Sequence, residues 1–354
     1  MKYKTLIDIL KRQDKKVNFV IIGNSLSAGY SIIEDTIPYL YRNQEFIKEL
    51  DSNNIFYSIY HFATPRNNEN SAILFNLIKE INIKDINTKV DNDIKFFNNE
   101  LNWSGINRDK LSKYYDINET ENKSVREILE DNNAINIIIL NCCTGGCLAL
   151  FNRGNKLEKA LFLKGIFKDL RDYNFILMYL YYINKNSLLF INSIPNITFP
   201  LYRILNLAID MINFKIKQIS NRYCNTIFIK QPRIKGFYKS NKQIDFHPNN
   251  KEYEMLVKNT TINLSNNIEE LLLLQDLNSF MFKHLEVNLK NIENLNNKTL
   301  INKEVKIILE KYDQKINNKG LKRYVKYFNK VYPYQFVGLD RNLITIILKE
   351  NIKK

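Results

Sequence analysis

Ser25, Asp245 and His247 are the residues of this chain whose types and placement suggest chemistry. Ser25 follows an apolar, β-branched run, Val17 to Ile22, in the order Gly23, Asn24, Ser25, Leu26, Ser27, Ala28, Gly29. The pattern predicts a buried strand that hands a serine to a tight turn, with Gly23 allowing the sharp bend and Gly29 letting the next element pack closely. A serine hydroxyl is a weak nucleophile at neutral pH, so it needs a base within hydrogen-bond reach, and the base needs a carboxylate to hold its tautomer. His247, one of three histidines, and Asp245 fit those roles if they lie in a loop, because side chains two apart on a strand run parallel. The Ser25 backbone N–H points into the turn and is a candidate donor for an oxyanion. Taken alone, the serine turn fits equally a capped helix start, as in nucleotide-binding α/β folds.

The elements that must position these residues alternate. After the strand ending at Gly23 the pattern predicts a helix over 36–50, a second strand over Ile55 to Phe62, a polar loop over Ala63 to Asn70 and a helix over Ser71 to Ile81. Residues 82–133 interrupt that rhythm, being rich in Asn and Asp, and read as an insertion that either folds over the site as a lid or projects into solvent. A third strand over Ile135 to Leu140 ends at Asn141, and one or two helices follow over Lys156 to Tyr182. A fourth strand runs over Ser187 to Ile194, a helix over Leu201 to Gln218, a fifth strand over Asn225 to Lys230, and a last helix from Lys251 to about Asn266. Five apolar strands joined by helical crossovers predict a three-layer α/β/α unit with a parallel, flavodoxin-like sheet. Ligands of such sheets sit outside the carboxyl ends of the strands, where the order reverses. Ser25, Asn141 and His247 all fall on that edge.

The chain of 354 residues allows one domain of about 250 residues plus a smaller module. The expected division is 1–267 for the α/β unit and 268–354 for a mainly helical extension. A hydrophobic content of 45% and a charged content of 25% are those of an ordinary folded protein. The net charge of +15 suits anionic partners, but heavy use of Lys, Asn and Ile is also what AT-rich coding produces, so nucleic acid is not an expected partner. Within the extension, Lys319 to Val331 gathers lysines and an arginine on one helical side, a contact surface or a solvated face. Residues 1–16 carry Asp8 and a polar run from Lys11, with no apolar core for a signal peptide, and Ala134 to Asn152 is broken by Asn, Thr and glycines. The expectation is a cytoplasmic protein without a membrane span. Cys142, Cys143, Cys147 and Cys224 lack the spacing and histidines of a zinc site and read as reduced thiols. A cysteine nucleophile at Cys142 or Cys143 would lack a second histidine base, since His61 and His284 read as structural or surface residues.

The two ends of the α/β unit, Gly23-Asn24-Ser25-Leu26-Ser27 and Asp245-Phe246-His247-Pro248-Asn249, resemble the first and last blocks of the SGNH/GDSL hydrolase family, over roughly residues 17 to 268. The resemblance implies Ser25 as nucleophile, His247 as base and Asp245 as its orienting carboxylate. It implies an oxyanion hole from the Ser25 N–H, a backbone N–H after the second strand and an asparagine side chain after the third. The family's glycine after the second strand is absent, so that donor falls to Asn68 or its neighbour Asn67. The asparagine falls to Asn141, or its slot to Cys143 if the block begins two residues later. Two further departures are Asn24 in place of the family's aspartate and an acid two rather than three residues before the histidine. The resemblance implies a serine esterase or acyl hydrolase working through an acyl-enzyme, with no cofactor or metal. Its substrate would be a small-molecule, glycan or lipid ester or a thioester, and acyl transfer would use the same residues. The competing expectation is a catalytically weakened member that contacts an anionic partner through the basic extension.

Overall fold

The computed structural model describes residues 2–23, 25–28, 37–63, 123–141, 186–198, 203–221, 225–235, 238–240, 243–245 and 248–291, with single positions 166, 170, 173, 174, 176, 177, 180, 184 and 223. The chain opens with α1 (Lys4–Gln13), whose Leu6, Ile7, Ile9 and Leu10 are buried along one face. Strand β1 (Lys16–Gly23) follows and leads into the single turn α2 (Ser25–Ala28). The helix expected over 36–50 is two elements, a 3-10 turn at Tyr39–Arg42 and α3 (Gln44–Ser52). Asn43 separates them because its side chain accepts from the Phe46 N–H and so starts a new helix. Next come β2 (Tyr57–Ala63), α4 (Val125–Leu129), β3 (Ala134–Asn141), β4 (Leu188–Asn192), α5 (Arg203–Ser220), β5 (Thr226–Ile229), β6 (Tyr238–Ser240), β7 (Gln243–Asp245) and α6 (Asn250–Asn291). Of the insertion at 82–133, only 123–133 is described; it holds α4, which begins at a capping box of Ser124 and Glu127. Between β3 and β4 the described positions Ile166, Tyr173, Ile176, Leu177 and Leu180 are helical and buried.

Five strands form one sheet in the order β2-β1-β3-β4-β5, the flavodoxin-like order expected from the alternation. The pairings of β1 with β2, β1 with β3, and β3 with β4 are parallel. β1 and β3 are buried from their second residue to their last, so layers cover both faces of the sheet. Two polar residues inside this apolar sheet are paired: Asn18 and Asn136 are register partners, and the Asn18 amide donates to Asn136 Oδ1 at 2.9 Å, while Asn18 Oδ1 is buried with no hydrogen-bond partner. A separate two-stranded antiparallel hairpin, β6 with β7, precedes α6.

The last helix does not stop near Asn266 but runs on to Asn291. Its buried residues Tyr253, Leu256, Val257, Thr260, Thr261 and Leu264 recur at three- and four-residue spacing, one continuous stripe. The chain divides into two compact units, Met1–Lys217 with Ile227–Asn266, and Gln218–Thr226 with Asn267–Lys354. Among the described residues no helix is long and apolar enough to cross a membrane.

Candidate active site

The strand order reverses between β1 and β3, and the packing there is tight. Gly23, the last residue of β1, has φ +156°, and a Cβ on it would stand 2.2 Å from Ser27 Oγ and 2.9 Å from the Asn141 carbonyl oxygen. Only glycine fits between the serine turn and the end of β3. α2 packs against β1, β2 and β3, so its first residue, Ser25, opens a turn wedged at the switch point.

Strands β2, β3 and β4 deliver polar residues to this edge. β2 supplies His61, whose Nε2 lies 2.5 Å from the Ser27 carbonyl oxygen. A carbonyl only accepts, so Nε2 carries the proton and donates. Burial lowers the His61 pKa to about 4, against which the Ser27 carbonyl acts weakly, and the ring is neutral at physiological pH. β3 supplies Asn141 and β4 supplies Asn192, with Ser193 directly after it, while Gln231 lies two residues beyond β5. All of them are buried.

These side chains form a hydrogen-bond chain whose direction is fixed at one end. Ser27 donates its single hydroxyl proton to the Ile22 carbonyl at 3.2 Å, so the group facing its lone pair must be a donor, and it is the Asn141 amide at 2.6 Å. Asn141 Oδ1 then accepts from the Asn192 amide at 2.7 Å. Asn192 Oδ1 accepts from the Gln231 amide at 2.6 Å and from Thr260 Oγ1 at 2.9 Å, whose single proton is shared with the Leu256 carbonyl at 3.1 Å. The second N–H of Asn192 goes to the Tyr39 hydroxyl at 3.1 Å, which fills all four hydrogen-bonding positions of that side chain. Tyr39 also pairs with Thr260 Oγ1 at 3.0 Å, and burial pushes its phenol pKa upward. A fully satisfied buried network of this kind holds one arrangement, because any flipped amide leaves two donors or two acceptors facing each other at low dielectric.

A second set of contacts anchors the segment that carries Asp245 and His247. Asn249 caps α6 by accepting from the Glu252 N–H at 2.8 Å, and Glu252 Oε2 accepts from the Asn249 N–H at 3.0 Å, a reciprocal box. The other carboxylate oxygen of Glu252 accepts from the Lys235 N–H at 2.5 Å. One carboxylate thus ties both ends of 235–249, the stretch holding the β6–β7 hairpin. The Arg42 guanidinium stacks 4.3 Å from the Tyr253 ring centroid and donates to Asn250 Oδ1 and, from Nε, to the Ile37 carbonyl at 3.1 Å, fixing the first turn of the helix.

Among the residues singled out in the sequence, Ser25 begins α2, Asn141 ends β3 and Asp245 ends β7. His247, Asn68, Asn67, Asn24, Cys143 and the other cysteines lie outside the described residues, as do the side chains of Ser25 and Asp245, and Lys319 to Val331. His61, read from sequence as structural or surface, is buried against the serine turn. Ser27 lies in the first block without a role assigned to it, and Asn192, Gln231, Thr260 and Glu252 carry no motif, yet Asn192 closes an apolar run as Asn141 does, and Gln231 follows one closely. That recurrence is the signal that could have found them. Among the described residues no group of three or more His, Cys, Asp or Glu is disposed to hold a metal ion.

No family model matches the sequence, and no curated protein matches it. Among solved structures the chain is similar to a lipase from a goat rumen metagenome, with 16% identity, 70% of this chain and 97% of that one covered, and a TM-score of 0.44. It is also similar to a family 3 carbohydrate esterase from Clostridium thermocellum, at 14% identity, 72% and 99% coverage and a TM-score of 0.36. A third similarity is to an aryl esterase from M. smegmatis, at 10% identity, 72% and 100% coverage and a TM-score of 0.36.

Proposed function

We propose that the protein is a serine ester hydrolase of the SGNH type. The observation that carries this reading is the position of Ser25, at the first turn after β1 and at the point where the strand order reverses, backed by a buried chain of donors that ends on that turn. A turn held by Gly23, Ser27, His61 and Asn141 is rigid, and rigidity is what a nucleophile needs to meet a carbonyl in a fixed orientation.

In the proposed reaction Ser25 Oγ attacks the ester carbonyl carbon while its proton passes to His247. The carbonyl π electrons move to oxygen and give a tetrahedral oxyanion, which the Ser25 N–H, a backbone N–H near Asn68 and the Asn141 amide stabilise. Collapse expels the alcohol, which takes the proton from His247 and leaves an acyl-serine. Water, deprotonated by His247, then releases the acid and regenerates Ser25. Asp245 holds the imidazole tautomer throughout. The first compact unit carries every residue named, and residues 268–354 are proposed as an addition to the catalytic part.

Fluorophosphonate labelling tests the reading directly, because phosphonylation requires an activated serine. The parent should label at Ser25 and hydrolyse short p-nitrophenyl esters. Ser25→Ala should lose both activities while unfolding as the parent does, since the change removes one hydroxyl and no core volume. Equal hydrolysis by variant and parent would remove Ser25 from the chemistry.

A further inference from the structure

We propose that Asn192 is a positioning residue for the reaction at Ser25, holding the Asn141 carboxamide with its NH2 group turned toward the serine turn. The proposal rests on the hydrolase reading above. Asn192 acts through Asn141, to which it donates at 2.7 Å; it also bonds to Tyr39, Gln231 and Thr260.

The argument is one of direction. An asparagine amide is nearly symmetric in shape, and its two orientations differ only in which end offers hydrogen. For an oxyanion the difference decides everything, because an N–H attracts the developing charge and a carbonyl lone pair repels it. What selects the orientation of Asn141 is its pair of neighbours. Ser27, with its proton committed to the Ile22 carbonyl, accepts NH2, and Asn192 supplies N–H to Oδ1. Asn192 is fixed in turn from its far side, where the Gln231 amide donates to its oxygen and Thr260 shares its one proton between that oxygen and the Leu256 carbonyl. With all four of its positions filled and 2% of its surface exposed, it has no second arrangement that keeps its partners satisfied. Orientation set beyond β5 is thereby passed across β4 to β3 and to the turn at the end of β1.

Asn192→Asp tests this with almost no change of shape. An ionised carboxylate offers only acceptors to Asn141 Oδ1 and to the Tyr39 hydroxyl, so Asn141 is driven to turn its oxygen toward the serine turn. A protonated carboxyl restores one donor. The measurements are the fluorophosphonate labelling rate and kcat and KM for p-nitrophenyl acetate across pH, each taken as the ratio of variant to parent so that ionisations common to both cancel. At alkaline pH, kcat should fall by about 10², the share of one oxyanion donor, with KM little changed. The ratio should climb as pH falls and the introduced carboxyl protonates. A ratio near one, a ratio flat with pH, or a parent-like kcat per fluorophosphonate-titrated site in a less stable protein would each overturn the proposal. If Asn192→Asp does not fold, Gln231→Leu removes one of the donors that orient Asn192 and should lower kcat in the same sense, by less; a parent-like kcat in that variant overturns it too. A parent that fluorophosphonate does not label would defeat the hydrolase reading itself and take this proposal with it, whereas normal labelling with an unaffected Asn192→Asp defeats the positioning role alone.

Discussion

Gly23 and Ser27 approach so closely that a methyl group on the glycine would stand 2.2 Å from the serine hydroxyl oxygen and 2.9 Å from the Asn141 carbonyl oxygen. The end of β1, the turn that follows and the end of β3 therefore form one packed knot, and the candidate nucleophile sits in its middle. The knot has no slack for even one carbon.

Gly23→Ala should destabilise the protein by about 2–5 kcal/mol, combining a backbone conformation unsuited to a side chain with overpacking. Adding Ser27→Ala should recover only part of that loss, because the clash with the Asn141 carbonyl and the φ of +156° remain. Urea unfolding of the single and double variants measures the coupling; full recovery in the double variant would show that the hydroxyl contact is the whole obstacle.

Asn141→Ala should lower kcat by roughly 10² with little effect on KM, as for a donor used in the transition state. It should also cost about 1–3 kcal/mol of stability, since Ser27 and Asn192 each lose a buried partner. Steady-state kinetics beside Cys143→Ala decides the register: the kcat effect appearing in Cys143→Ala and not in Asn141→Ala would move the donor to position 143.

His61 should make the protein acid-labile. Its pKa is lowered from 6.5 to about 4 in the folded state, mainly by burial. Between those values the unfolded chain binds a proton that the folded one does not, so stability rises with pH across this window and is lost as pH falls through it. The group's share is on the order of 3 kcal/mol, fully present above about pH 6.5 and gone near pH 4. His61→Gln keeps a donor for the Ser27 carbonyl and has nothing to titrate. Unfolding midpoints at several pH values should therefore converge for variant and parent as the pH drops from neutral, and parallel curves would assign the proton elsewhere.

The sheet was legible in the sequence because its strands are buried on both faces and so appear as unbroken apolar runs, Ile137 to Leu140 and Leu188 to Ile191 among them. Strand ends were legible to within two residues for the same reason. α1 has no capping side chain to mark its start, although Leu6, Ile9 and Leu10 have helical spacing, and the break at Asn43 is hidden in the sequence because a cap is one side chain bonding to one N–H three residues on. The end of α6 is not marked in the sequence because a continuing helical pattern contains no stop signal. The sequence alone pointed to Ser25, Asp245, His247 and Asn141 as candidates for one sheet edge. Tertiary structure decided what Asn192, Gln231, Thr260, Ser27 and His61 do there. A polar residue at a strand end has no periodicity to reveal its partners, and its hydrogen bonds cross sequence separations as long as that from Tyr39 to Thr260. Chain order determines which strands alternate with which helices; only packing brings their ends to one edge and fixes, proton by proton, which group donates.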